Sequence, residues 1–329
     1  MLRLILLTLG LVTLFFIVWH IGPGNIYDAV ARLGPAALLT ILCPSVLMYV
    51  LEALGWRMTL GRYAEMVPFW KLLAIRTAGE VVNMTTPTAY VGGEPLKAYL
   101  LKRHGVPMVE GLASVVTAKT TMTIAQIAFI LIGMAAGFWL LGTGGSPGRT
   151  AMATAASVGL LAFGVGGFVL IQRRGIFATL LWVLRRIGLA VKVLEPHEEK
   201  LLALDRTIAA FYSQNRAGFL LSVLLFFLGW LAETVEVYVM LRVLGEPVTI
   251  MTAIAIGSLS VFIKGGAFFI PGSLGAQDAG NLLLVTTFGF GEVAGITFAL
   301  LRRFRELVWV MIGLVCLGIM GKTPQEVQG

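Results

Sequence analysis

Charge is scarce in this sequence. Asp, Glu, Lys and Arg supply 13% of the 329 residues and apolar side chains supply 58%, with a mean hydropathy of +0.90. A soluble domain carries about a quarter of its residues as charges, so the soluble classes are excluded. Thiols are nearly absent: Cys43 and Cys316 both fall in apolar runs. They read as small buried hydrophobes, and two thiols exclude a disulfide framework. His20, His104 and His197 show no ligand spacing, so no metal or other cofactor is expected. The glycine-rich run 142–148 lacks a following Lys-Ser/Thr pair and a preceding strand, which makes it a linker and not a phosphate loop. Acids are outnumbered by bases, 17 to 25. Because the bases gather in loops, the surplus points to the cytoplasmic face of a membrane and not to nucleic acid.

What the chain does have is a series of apolar runs of about 20 residues, the length that crosses a bilayer. They predict an all-α polytopic membrane protein with about six spanning helices and two broken re-entrant hairpins, eight helices by hydropathy count. The first span lies in 1–31; it lacks a small-x-small cleavage site and reads as retained. Gly22-Pro23-Gly24-Asn25 is expected to end it, with a short loop holding Asp28 and Arg32. A second span covers about 36–60, with a kink at Pro44 and Glu52 inside. Residues 69–84 carry Lys71, Arg76 and Glu80 and then meet Thr85-Thr86-Pro87. Proline lacks an N–H and drives its predecessor towards extended geometry. The stretch 69–104 is therefore a hairpin that enters the membrane, turns near the middle and leaves by the same side. A span over about 109–141 completes a first repeat, 32–141.

Residues 142–171 form a linker and a connecting span. The basic segment 172–215 is expected to lie on an anionic inner leaflet, with Leu201, Leu204, Ile208 and Phe211 as an apolar stripe at helical spacing. A second repeat, 216–322, holds a span with Glu233 and Glu236 and a hairpin over 248–290 broken at Pro271-Gly272. Its last span, about 293–320, carries Arg302, Arg303, Arg305 and Glu306.

The two repeats match at a single ungapped offset of 184 residues. Arg32 falls on Arg216, Gly34 on Gly218, Glu52 on Glu236, Gly61 on Gly245, Pro87 on Pro271, Glu94 on Asp278 and Lys119 on Arg303. Rare charges and helix breakers aligned at one spacing point to duplication. Loop charge puts 172–216, both termini and the loops near 61–72 and 97–108 in the cytoplasm. One crossing then separates the repeats, so they have inverted topology, and the hairpin tips meet near the midplane. That is a transporter design.

Charges at such depth cost about 2.5–3.5 kcal/mol each on insertion scales, so they need partners or a ligand. Glu52, Glu80, Glu236 and Glu306 are expected to be structural charge partners, with Arg302 bonded to Glu306 four residues on. Lys119 and Arg303 lack local partners and must reach Glu94 or Asp278 across the bundle, or a ligand anion. Glu94 and Asp278 stand at helix starts, where a carboxylate is favoured and where free N–H groups also hold phosphate. The candidate substrate-binding set is Asn83, Pro87, Gly92, Gly93, Glu94, Lys97, Lys119, Lys264, Pro271, Gly275, Gln277, Asp278, Arg302, Arg303 and Arg305. An anionic head on an apolar body, such as a phospholipid or polyprenyl phosphate, fits it.

The run Pro87-x-x-x-x-Gly92-Gly93-Glu94 with Lys97, and the run from Pro271 to Asp278, resemble the paired signatures of the lysylphosphatidylglycerol synthase transmembrane (flippase-like) family. The resemblance spans about residues 3–320; Ser273-Leu274-Gly275 and Asp278 depart slightly from its usual Pro-x-Gly-x-Gly and Glu. It implies a lipid translocator of the bacterial inner membrane moving an anionic or aminoacylated lipid, a hopanoid-type lipid or a polyprenyl phosphate. With no aminoacyltransferase domain after Met320, lysyl-lipid synthesis is not implied. Two other readings stand beside it: an accessory subunit docked to lipid-synthesis enzymes through 172–216, and a membrane glycosyl- or acyltransferase. The latter would need an Asp-x-Asp pair or a catalytic histidine, and neither is found.

Overall fold

The computed structural model describes Trp19, residues 22–85, 92–142, Gly159, 198–266, Ser273 and 275–320. These are helical throughout: α1 (Pro23–Thr59), a 3-10 turn (Gly61–Glu65), α2 (Phe69–Thr85), α3 (Gly93–Lys102), α4 (Met108–Gly142), α5 (Glu198–Gln214), α6 (Arg216–Val243), α7 (Ile250–Gly266), α8 (Ala276–Thr287) and α9 (Glu292–Met320). The expected first span, the connecting span near 151–171, the basic stretch 172–197 and the prolines Pro87 and Pro271 lie outside the described residues.

Among the described residues three helices are long and apolar enough to cross a membrane: Leu33–Thr59, Met108–Leu141 and Arg216–Val243. At 1.5 Å per residue, 27 residues reach about 40 Å against a hydrocarbon core of about 30 Å. The fourth long helix, α9, has 29 residues, and its charges Arg302, Arg303, Arg305 and Glu306 are all buried. Their solvent is the protein itself. Outward-facing positions are large and apolar instead, among them Leu39, Trp70, Trp139 and Val293, as a lipid-facing surface requires.

The sequence reading placed a loop at Asp28–Arg32, and the structure corrects it. Pro23 stands at the start of α1, where its missing N–H has no intrahelical partner to lose, and the segment is helical from there. The break comes at Gly34, whose φ of 72° and ψ of 165° only glycine adopts freely. Pro44, the expected kink, sits inside helix, and Gly34 holds the only non-helical backbone in α1.

Helices α1 to α4 correspond to α6 to α9. Shifted by 184, the start of α4 at Met108 lands on the start of α9 at Glu292, and the end of α1 at Thr59 lands on the end of α6 at Val243. Packing repeats the correspondence: α4 packs on α7 as α2 packs on α9, and α3 on α4 as α8 on α9. The equivalent helices α1 and α6 run antiparallel. Ser222 donates to the Gly55 carbonyl at 2.9 Å, Gly229 backs onto Glu52, and Ile41 shares a core with Val237 and Met240. As one number rises the other falls, which only inverted repeats produce.

Each hairpin folds back on itself. In the first, Gly93 N–H donates to Asn83 at 2.7 Å near the tip, and Met66 meets Gly105 at the open end. In the second, Ser260 donates to Asn281 at 2.7 Å, and Gly280 packs on Ile263. The return helices α3 and α8 have 10 and 12 residues, about 15–18 Å long and too short to span. Helix α5 seats Leu204 and Ile208 on Ala113 of α4, and Asn215 caps α6 by accepting from the Gly218 N–H.

Candidate functional site

Ion pairs among the described residues form separate networks that each place a member on one interior chamber. Seven cations (Arg76, Lys97, Lys119, Lys264, Arg302, Arg303, Arg305) meet seven acids (Glu52, Glu80, Glu94, Glu233, Glu236, Asp278, Glu306). Together they are electrically balanced as they stand.

The two repeats build their pairs alike. Lys119 lies 3.8 Å from Glu94, and its equivalent Arg303 lies 2.7 Å from Asp278, the equivalent of Glu94. Glu94 opens α3 and Asp278 opens α8, each favoured there by unpaired N–H groups of the first turn. Asn83 Nδ2 donates to Glu94 at 3.1 Å, and Lys97 bonds both oxygens of Glu94 at 3.1 and 3.2 Å. Gly92 precedes α3 in a turn. Gly93 is required by close approach: a Cβ there would lie 1.9 Å from the Gly79 carbonyl oxygen. On the other side Gly275, at φ 76°, donates its N–H to Asp278 at 3.0 Å.

The pairs divide by how tightly they are held. Arg303 grips Asp278 through two nitrogens, Glu306 at 2.6 Å and the Ser273 carbonyl at 3.2 Å. Arg305 bonds Glu236 at 3.1 Å, and Arg76 bonds Glu52. Arg302 pairs with Glu233 of α6, which overturns its expected bond to Glu306. The i, i+4 spacing permits that bond, but Glu306 is taken by Arg303, by Lys264 at 3.7 Å and by Arg305 at 3.9 Å, with Gln277 donating at 3.4 Å. These tight pairs hold helices together. Removing one partner of such a pair strands a buried charge.

Three charges are held loosely. Lys119 is 44% exposed at its side chain, Lys264 33% and Glu80 27%; their contacts are 3.7–3.9 Å. All three face a chamber of about 240 Å³ lined by α1, α2, α4, α6, α7 and α9. Glu80 and Met84 bound it from the first hairpin, Lys264 and Gly265 from the second. Glu80 and Lys264 are themselves equivalents at the offset of 184, so the two repeats present opposite charges from matched positions. Arg76 Nη1, Arg305 Nε and Trp230 Nε1, on residues lining the chamber, are buried donors with no acceptor. A buried donor without a partner is costly.

One wall is aromatic. Tyr49 and Trp309 stack at 3.6 Å, Arg76 lies over the Tyr49 ring at 4.7 Å, and Trp309 donates to Ser45 at 2.9 Å. Sequence reasoning left Arg76, Glu233, Tyr49, Trp230 and Trp309 out of its site. Arg76 was visible as an arginine inside a hairpin helix; the aromatics carried no signal beyond apolar periodicity.

A model of the lysylphosphatidylglycerol synthase TM region matches residues 2–314. A UPF0104 membrane protein of Methanothermobacter thermautotrophicus is 23% identical, the match covering 98% of this chain and 96% of that one. A second match to a UPF0104 membrane protein of that organism is 33% identical over 104 residues, 31% of this chain and 29% of the relative. No solved structure matches. The chain is a multi-pass membrane protein and belongs to the lysylphosphatidylglycerol synthase TM region family.

Proposed function

We propose that the protein is a lipid translocator that carries a headgroup through the charged chamber while the acyl chains stay in the bilayer. The observation that supports this is one chamber lined by Glu80 and Lys264 from matched positions of the two repeats, both held loosely, with Lys119 the one other loosely held charge among its described lining residues. A balanced set of charges resists a bare anion, because the added charge has no counter-charge in a medium of low dielectric. A headgroup bearing one charge of each sign, as a phospholipid aminoacylated with a neutral amino acid does, adds none. Its phosphate meets Lys264 and Lys119, and its ammonium meets Glu80.

The tails need an opening to lipid. A groove of about 290 Å³ between α8 and α9 has Leu282, Ile296 and Leu300 in its walls and the Asp278–Arg303 pair beside them. Apolar walls next to a charged pair suit the glycerol end of a lipid. Basic residues at the α5 end, Arg62, Lys71, Lys102 and Arg103, support a cytoplasmic placement of that end.

The test is reconstitution. Purified protein in liposomes is expected to speed transbilayer movement of labelled aminoacylated phosphatidylglycerol, and Lys119→Ala is expected to abolish the gain. Wild-type rates equal to those of protein-free liposomes would end this reading.

A further inference from the structure

Three cavities lie in a row along the seam between α1 and α4. The charged chamber touches α1 at Met48 to Glu52 and α4 at Lys119 to Gln126. A narrow void of about 30 Å³ touches α1 at Glu52 and Trp56 and α4 at Val115 to Met122. A third cavity of about 290 Å³ touches α1 at Thr59, the turn that follows it and α4 at Glu110 to Thr117, with Thr207 and Phe211 of α5 above. Each step moves about one turn towards the α5 end. Between the second and third stands Trp56, 3% exposed, its Nε1 donating to Ser114 across a weak 3.4 Å contact. Thr59 donates beside it to the Ser114 carbonyl at 2.9 Å.

The matching seam of the second repeat, between α6 and α9, is built from different chemistry. At the offset of 184, Trp56 becomes Met240, Thr59 becomes Val243, Ser114 becomes Phe298 and Thr117 becomes Leu301. Met240, Phe298 and Leu301 are 0% exposed. Ion pairs Arg302–Glu233 and Arg305–Glu236 tie that seam shut. Packing alone is served by the apolar version, since buried hydroxyls cost more to bury than methyl groups. The hydroxyls of Thr59 and Ser114 are satisfied within the first seam, by the Trp56, Ser114 and Gly111 carbonyls, and they give it a polar lining that the second seam does not have at the matched positions.

We infer that the α1–α4 seam is the headgroup's route between the chamber and the water at the α5 end. The third cavity is a second site for the same headgroup, and Trp56 is the gate between them. The mouth offers one charge of each sign, Arg62 and Glu110, and a row of hydroxyls, as a zwitterionic phosphate headgroup needs. This inference rests on the lipid-translocation reading.

Thiol modification by a small cationic methanethiosulfonate tests the route without needing lipid movement. In a Cys43→Ser, Cys316→Ser background, Thr117→Cys should react from the α5 side and Leu301→Cys should stay unmodified. Trp56→Ala should speed modification of Met122→Cys in the chamber by about tenfold or more, and Trp56→Phe, which keeps the bulk of the gate, should raise it far less. A silent Thr117→Cys, or a Met122→Cys rate that ignores Trp56→Ala in protein that still moves lipid, would overturn the route and leave translocation standing. Wild type that moves no lipid would remove the reading beneath it.

Discussion

Glu80 and Lys264 hold the same position in two inverted repeats and face one chamber with opposite charge. Lys119 shares this freedom and its equivalent does not. Lys119 and Arg303 are equivalents too, yet one rests 3.8 Å from its acid at 44% exposure and the other is buried in four hydrogen bonds. At this pair of positions the duplicated frame has kept one cation receptive and locked the other.

That division predicts opposite phenotypes for the two equivalents. Arg303→Ala leaves Asp278 and Glu306 short of a cation and should cost about 3–5 kcal/mol. Thermal unfolding in detergent should show a clear drop in Tm. Lys119→Ala should leave Tm near wild type, because an exposed, loose pair contributes about 0–1 kcal/mol, while removing transport.

The closeness of the first hairpin predicts a graded glycine series. Gly93→Ala would place a Cβ 1.9 Å from a backbone oxygen, whereas Gly79→Ala would meet the flexible stem of Lys97 at 2.5 Å. Backbone cannot yield as a lysine stem can. Gly93→Ala should therefore express poorly or unfold early in a thermal melt, and Gly79→Ala should fold with a smaller loss. Equal losses would show that the hairpin is looser than described.

Across the repeats, Gly133 of α4 abuts Ser258 of α7, with a Cβ at Gly133 falling 2.2 Å from the Ser258 Cβ. Gly133→Ala should destabilise the bundle, and Ser258→Gly should restore most of the loss in the double variant. A double-mutant cycle in thermal stability reads the coupling directly.

The antiparallel packing of α1 on α6 is open to cross-linking in the background without Cys43 and Cys316. Gly55→Cys with Ser222→Cys should form a disulfide, since Ser222 bonds the Gly55 carbonyl at 2.9 Å. Gly55→Cys with Val239→Cys, the pair that parallel repeats would bring together, should not.

Much of this frame was legible before any coordinates. Offset matching works because Glu52, Pro87, Glu94 and their equivalents are rare residues in an apolar background, so each match carries weight. The helix starts at Met108 and Glu292 obey the same offset although neither was among the matches. Local chemistry misled in two places. Pro23 reads as a helix breaker but also starts helices, and only the downstream backbone decides. Arg302 and Glu306 satisfy the i, i+4 rule, yet Glu233 from another helix wins, because a buried guanidinium goes to the acid that tertiary packing delivers. The chamber's aromatic wall left no trace, since Tyr49 and Trp309 are ordinary positions on apolar helices. Glu80 was legible as a charge but not as a chamber wall, because its exposure depends on where the second hairpin ends.

The central claim is that a headgroup of both signs passes between Glu80 and Lys264, and exchanging their charges tests it most directly. Transbilayer movement of labelled aminoacylated phosphatidylglycerol would be measured in liposomes carrying wild type, Glu80→Lys, Lys264→Glu and the double exchange. The account predicts that each single variant slows movement by about tenfold or more, the equivalent of about 1.4 kcal/mol, and that the double exchange recovers most of it. Single variants that move lipid at the wild-type rate, or a double exchange no faster than either single, would contradict it.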